Sequence, residues 1–264
     1  MVNFKYKDIY TFDDLIEVLR ILRGPEGCPW DQVQTHASNR RNFLEEAYEA
    51  VEGFDKDDPA LMCEELGDML MQVLFNIHIE EDAGRFNLTD VTDQACKKLI
   101  FRHPHVFGTV SVSGEEEVLV NWEQLKREEK GQRTTFDACD SVARSLPALW
   151  RAEKIQAKAA KGGFDWADIS GAVDKLHEET QELSQAVAAG EGIEEELGDV
   201  LFAAVIVGRF AGVDPETALQ GTCEKFLRRF RYVEQQAANA GKSLSDMPLS
   251  DMTALWNEAK SNQT

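Results

Sequence analysis

Four short stretches of this 264-residue chain carry acids in the order acid-acid-x-x-acid: Glu45-Glu46-Ala47-Tyr48-Glu49, Glu64-Glu65-Leu66-Gly67-Asp68, Glu178-Glu179-Thr180-Gln181-Glu182 and Glu195-Glu196-Leu197-Gly198-Asp199. On a helix each residue turns the direction by about 100°, so the three acids fall at about 0°, 100° and 40°. Like charges three or four residues apart repel by about a few tenths of a kcal/mol per pair. One such stretch reads as a solvated acidic face. Four of them, in two ordered pairs, read as carboxylate walls around a cation. A ligand set of hard carboxylate oxygens without His or Cys selects Mg²⁺, or Mn²⁺, over zinc. The ligand candidates are Glu179, Glu182, Glu196 and Asp199, with Glu46, Glu49, Glu65 and Asp68 as a second set.

The elements that must hold these acids are helices. Val200 to Val207 is apolar nearly all the way round, which predicts a helix buried on most sides. Ile206, and Phe75 in the earlier pair, continue the acidic face as an apolar floor, which suits the wall of a cleft. Amphipathic periodicity predicts helices at about 12–23, 43–51, 59–79, 89–102 and 117–130, with Asp13 or Asp14 near the first N-terminus. In the 59–79 helix the acids are expected opposite an apolar stripe of Leu66, Leu70, Val73 and Ile77. Gly24 to Trp30 and Asp55 to Pro59 break the pattern, and His103-Pro104-His105 reads as a loop rather than a metal site. A stretch rich in turn residues, 131–147, is expected to be a linker. Helices then resume at about 148–155, 170–188, 193–210 and 215–238, with a last one carrying Trp256 and Lys260. Strand signals are absent, so the expected class is all-α.

The second half repeats the first. Trp30 to Trp166 is 136 residues, Glu46 to Glu179 is 133 and Asp68 to Asp199 is 131. Lys98 to Lys225 and Arg102 to Arg229 are both 127, while Trp122 to Trp256 and Lys126 to Lys260 are both 134. Such drift is what differing loop lengths produce in an internal duplication. The expected division is a repeat over 1–130, the linker, and a repeat over 148–264. Lys225 and Arg229 stand one turn apart, so both could reach one polyphosphate. Trp256 and Lys260 form another one-turn pair, suited to stacking on a base beside a phosphate. Each pair also has an ordinary structural explanation, a helix charge pattern for the first and a core tryptophan for the second, and recurrence in the two halves leaves both readings open.

A formal net charge of −20 argues against nucleic acid or anionic membrane as a partner. Five cysteines without a Cys-x-x-Cys pair suggest reduced thiols and a cytoplasmic setting. Met1 to Asp14 lacks the apolar core of a signal peptide, and no apolar run approaches the roughly 20 residues of a membrane helix.

The paired acid motifs, the loop Cys28-Pro29-Trp30-Asp31, the run Arg102-His103-Pro104-His105-Val106-Phe107 and the run Glu224-Lys225-Phe226-Leu227-Arg228-Arg229-Phe230 closely resemble the MazG family of all-α nucleoside triphosphate pyrophosphatases. The resemblance covers nearly the whole chain, duplication included. It implies Mg²⁺-dependent hydrolysis of NTPs or dNTPs to monophosphate and pyrophosphate, house-cleaning of the nucleotide pool, and a homodimer with four-helix-bundle packing. It places metal ligands on Glu179, Glu182, Glu196 and Asp199, and nucleotide contacts on Lys175, Glu178, Glu195, Lys225, Arg229 and Trp256. Lys260, and the ligands Glu179 and Asp199 themselves, join the expected nucleotide contacts. Glu178 and Glu195 are alternative general bases, and Lys225 and Arg229 would offset developing charge. In the first repeat Asn42 stands where the second has Lys175, although Lys98, Arg102 and Lys126 keep their places; that copy is the less certain site.

Two other classes compete. A di-iron carboxylate bundle needs Glu-x-x-His motifs, and Asp174-x-x-His177 is the nearest match, without a counterpart in the first repeat. A non-catalytic, partner-binding helical protein with solvated acidic faces would show neither metal dependence nor nucleotide hydrolysis.

Overall fold

A computed structural model describes residues 4–261; Met1–Asn3 and Asn262–Thr264, the outer ends of the two expected repeats, lie outside the described residues. Among these residues there are helices and no strands, and the chain forms two compact units that meet between Leu125 and Lys126.

The first unit opens with α1 (Phe12–Arg23), whose Thr11 cap accepts from the Asp14 amide while Asp14 accepts from that of Thr11. This reciprocal capping box satisfies two donors that a helix start leaves open. A single turn, α2 (Pro29–Gln32), leads to α3 (His36–Lys56) and α4 (Pro59–Asp82). Then come α5 (Leu88–Arg102), the turn α6 (Pro104–Phe107) and α7 (Glu115–Glu129), within which the unit boundary falls. Ile16 and Leu19 of α1 meet Leu74 and Phe75 of α4 in the buried core. At the end of this seam Arg23 pairs with Asp82 at 2.8 Å and lies over the Phe75 ring.

Two acid-bearing helices, α3 and α4, pack along each other. Gly53 is buried where they approach, and a Cβ there would stand 3.2 Å from the Met62 backbone nitrogen. A side chain there would press on Met62 and push it back by a few tenths of an ångström, so glycine suits this close crossing.

The second unit contains α8 (Thr135–Asp140), α9 (Ala148–Lys161), α10 (Ile169–Ala189), α11 (Ile193–Ala211), α12 (Pro215–Asn239), a 3₁₀ turn (Leu244–Asp246) and α13 (Leu249–Ser261). The order of the first unit returns: α9 packs on α11 as α1 packs on α4, and α10 pairs with α11 as α3 pairs with α4. Gly190-Glu191-Gly192 joins α10 to α11, with φ of 78° and 74° at its two glycines. Left-handed backbone of this kind favours glycine, and it makes the reversal in three residues.

Three expectations are corrected. The stretch 131–147, expected to be a linker, contains α8, packed on α9 with Ala138 and Val142 buried. Helix α3 begins at His36 rather than near Phe43. In α4, Ile77 is buried, but Leu66, Leu70 and Val73 are exposed while Glu65 and Gln72 are buried. The acidic side of α4 is thus turned toward α3, and much of the apolar stripe faces outward. Leu197, Leu201 and Phe202 of α11 are exposed in the same way.

Candidate metal centre

The α10–α11 hairpin brings three acids to one point. One carboxylate oxygen from each of Glu179, Glu196 and Asp199 lies within 4.8 Å of the others. Glu196 and Asp199 stand one turn apart on α11, and Glu179 faces them from α10 with 6% of its surface exposed. Lys175, one turn before Glu179, puts its ammonium 2.7 Å from Glu179 and 2.8 Å from Glu178. These two hydrogen bonds raise the lysine pKa well above its ordinary value. The fourth expected ligand, Glu182, is outside the triad and exposed; its carboxyl hydrogen-bonds Glu179, which together with burial raises its pKa.

In the first unit the triad is Glu46, Glu49 and Glu65, again within 4.8 Å. Here α3 supplies two acids and α4 one, the reverse of α10–α11. Burial first, then the charge of Asp68, raises the pKa of Glu46, and a hydrogen bond from Gln72 opposes the rise. Burial and the Glu49 charge raise that of Glu65. Asp68 acts on both acids through its charge and is not in the triad.

Both donor sets fit a hard divalent ion. Opposite ligands of Mg²⁺ lie about 4.2 Å apart, so small side-chain rotations would close a 4.8 Å triad onto one. Residues that would hold it are Glu179, Glu196 and Asp199 in the second unit and Glu46, Glu49 and Glu65 in the first. Among the described residues neither triad includes a histidine or cysteine, as zinc or di-iron chemistry would favour.

The expected basic and aromatic residues belong to another helix pair. Phe226 and Arg229 of α12 meet Trp256 of α13, with ring centroids 5.1 Å apart and the guanidinium 5.8 Å from the indole. Arg102 lies 5.7 Å from the Trp122 ring in the matching place. The structure therefore couples Arg229 to Trp256, whereas the sequence paired Lys225 with Arg229 and Trp256 with Lys260. Lys225 is half-buried and Lys260 exposed, and among the described residues no hydrogen bond or ion pair links either to the acids. Lys98 is exposed, Arg102 buried and Lys126 half-buried. Glu195, in the first turn of α11, is exposed, while Glu178 is engaged by Lys175.

One polar group beside the first triad carried no sequence signal on its own. Asn39 and Gln72, 3% and 6% exposed, are joined at 2.8 Å. Comparison of the two repeats position by position exposes it.

A family described as the MazG nucleotide pyrophosphohydrolase domain matches residues 34–107 and again 169–233, each span containing one acid triad. The nucleoside triphosphate pyrophosphohydrolase of Escherichia coli (strain K12) is 43% identical over 253 residues, covering 94% of this chain and 96% of that one. Nucleoside triphosphate pyrophosphohydrolase/pyrophosphatase MazG of Thermotoga maritima is 39% identical over 94% of this chain and 95% of its own. The Bacillus subtilis protein YabN is 46% identical over 96% of this chain, which spans 52% of that protein. With the domain present twice, and with relatives alike over almost their full length, the chain belongs to the MazG nucleotide pyrophosphohydrolase family.

Proposed function

We propose that this chain hydrolyses nucleoside triphosphates to nucleoside monophosphate and pyrophosphate, using Mg²⁺, or Mn²⁺ in its place, at the α10–α11 triad. The observation that carries the reading is the convergence of Glu179, Glu196 and Asp199 within 4.8 Å, with Lys175 alongside. The ion would neutralise phosphate charge and lower the pKa of a bound water. Lys175 is placed to donate to a phosphate oxygen once a cation draws Glu179 away from it. Glu178 is engaged by Lys175, so the exposed Glu195 is the better-placed general base. Arg229, held against Trp256, presents a guanidinium beside an aromatic face, a combination suited to a phosphate and a base.

The cytoplasmic nucleotide pool is the proposed setting and removal of unwanted nucleotides the proposed role. A homodimer would cover the exposed Leu66, Leu70 and Val73 of α4 and Leu197, Leu201 and Phe202 of α11. The two family domains are proposed to follow the division 1–130 and 148–264.

Phosphorus NMR of the reaction with an NTP panel and Mg²⁺ tests the activity. Monophosphate and pyrophosphate are expected as primary products. Orthophosphate and diphosphate would overturn the assignment, and no turnover would favour a partner-binding protein with solvated acidic faces.

A further inference from the structure

Two helices of the first unit end at the same place. Helix α1 closes on Arg23 and α4 on Asp82, and these two terminal residues form the ion pair at 2.8 Å. The C-terminal end of a helix carries partial negative charge on its last carbonyls. A hollow of about 250 Å³ lies there, lined by Arg20, Arg23, Gly24, His78, Glu81 and Asp82. Arg20 and Glu81, joined at 3.2 Å, also line a second hollow of about 560 Å³, with Asp13, Ile16, Glu17 and Leu88 among its other walls.

The charges around the hollows do not cancel. Four carboxylates, Asp13, Glu17, Glu81 and Asp82, face two guanidiniums, which leaves two negative charges over. Both arginines are engaged already. Arg23 donates through Nε and Nη2 to Asp82 and through Nη1 to the Asp31 carbonyl, and Arg20 donates to Glu81. Asp13 and Glu17 have no ion pair among the described residues.

A buried acceptor is the second, independent feature. His78 is 4% exposed, and its Nδ1 meets Glu81 at 3.0 Å. A carboxylate only accepts, so the hydrogen of a neutral ring sits on Nδ1 and Nε2 keeps a lone pair. Nε2 is buried and has no partner among the described residues. Buried polar atoms are satisfied as a rule, and this one asks for an N–H or O–H donor. On the offset that matches Asp68 to Asp199, His78 corresponds to Arg209, whose guanidinium holds Asp165 at 2.5 and 2.9 Å. The second repeat thus carries a cation of its own at a position where the first has an imidazole beside a hollow.

We propose that these hollows bind an aliphatic polyamine, one ammonium donating to His78 Nε2 beneath the converging helix ends and another lying between Asp13 and Glu17. Its methylenes run past the Arg20–Glu81 pair along Ile16 and Leu88. A metal ion does not suit the place, since among the described residues no three metal-ligating atoms converge there. An anion is repelled by the surplus carboxylates, and the first amides of α5, beside the larger hollow, are spent on the capping box of Asn87 and Asp90.

The test is spermidine binding to the full chain by isothermal titration calorimetry, in excess Mg²⁺ at fixed ionic strength to cover the acid triads and the acidic surface. Saturable binding is expected, with butylamine, which has a single ammonium, about tenfold to a hundredfold weaker. His78→Leu removes the acceptor, and Asp13→Asn with Glu17→Gln removes two exposed carboxylates. Each is expected to weaken spermidine by about tenfold to a hundredfold. Glu115→Gln with Glu116→Gln takes the same charge from exposed positions on α7 and is expected to leave the affinity unchanged. Should His78→Leu fail to fold, the Asp13 and Glu17 variant serves the same measurement. Equal losses from the two double variants would show diffuse counterion binding and overturn the site. An unchanged affinity in a folded His78→Leu, or no saturable binding by the parent chain, would overturn it as well.

Discussion

Lys175 and Glu179 form an ion pair at 2.7 Å across one helical turn of α10, whereas among the described residues Glu46 has no such partner, its matching neighbour being Asn42. Turnover should depend on the second triad. Glu179→Gln is expected to lower kcat by more than about a hundredfold, and Glu46→Gln to spare most of it. Lys175→Met, which loses one charged hydrogen bond to phosphate, should cost about tenfold to a hundredfold in kcat/KM. Steady-state kinetics with circular dichroism to check folding decides this; equal losses from the two glutamines would mean two working centres.

Mg²⁺ should stabilise the folded chain. The Glu46, Glu65 and Glu182 carboxyls are all raised above their ordinary values, the first two chiefly by burial and the third chiefly by its hydrogen bond to Glu179. Their charged forms are strained together without a cation. At a hundredfold excess over Kd a ligand of the native state adds about 2.7 kcal/mol. The melting temperature should therefore rise from chelator to millimolar Mg²⁺ at fixed ionic strength, and Glu179→Gln with Glu46→Gln should remove most of the rise.

A pH-dependent clamp joins α3 to α4. His36, the first residue of α3, contacts Asn76 at 2.8 Å and also Glu80, which Arg85 grips at 2.5 and 2.6 Å. Hydrogen bonds to Asn76 and Glu80 raise the His36 pKa above 6.5, and those from Arg85 and His36 lower Glu80 from 4.5 to about 2. Stability from the raised histidine is fully present below 6.5 and is lost as pH rises through its folded value. That from Glu80 is present above 4.5 and fades as pH falls toward 2. His36→Gln should consequently lower the melting temperature most between about pH 5 and 6 and progressively less toward pH 8. A constant difference across that range would show that protonation plays no part.

Arg229 and Trp256 should act on binding more than on chemistry. Trp256→Ala removes both a face for the base and the support of the guanidinium. A base–aromatic stack is worth about 1–3 kcal/mol, so KM should rise about fivefold to a hundredfold with a smaller change in kcat. A kcat effect larger than the KM effect would place Trp256 at the reacting phosphate instead.

Leu201 of α11, 48% exposed, tests the homodimer. Leu201→Glu places a charge on an apolar face proposed to be covered, and sedimentation velocity should report a shift from dimer to monomer. An unchanged dimer would put the interface elsewhere.

Helix positions were legible where apolar residues recur every three or four positions: α1 falls at 12–23 as the pattern demands, and α10 and α11 lie within a residue of expectation. The start of α3 was hidden because His36 to Asn42 is polar apart from Ala37, and its signal is the Thr35 cap instead. Helix α8 is too short for periodicity, although Thr134 and Asp137 spell a capping box. Leu66, Leu70 and Val73 misled because a pattern identifies an apolar face without saying whether the same chain covers it. At the centre, spacing found the acid clusters but could not choose three oxygens from four acids, since that depends on the rotation of each helix against its neighbour. Lys225 shows the same gap: one turn from Arg229 in sequence, it shares no partner with it among the described residues, whereas Trp256 reaches Arg229 from another helix.

The three-residue reversal at Gly190-Glu191-Gly192 also bears on how the centre comes into being. Glu179 and Asp199 are only twenty residues apart, so closing the loop between them carries a small entropic cost. Pairs of neighbouring helices with short connections are low-contact-order structures and form fast. During synthesis the acids of α10 and α11 can meet before α12 and α13 have left the ribosome. The acid cluster proposed to hold the cation is thus assembled ahead of Arg229 and Trp256, the residues proposed to contact the nucleotide.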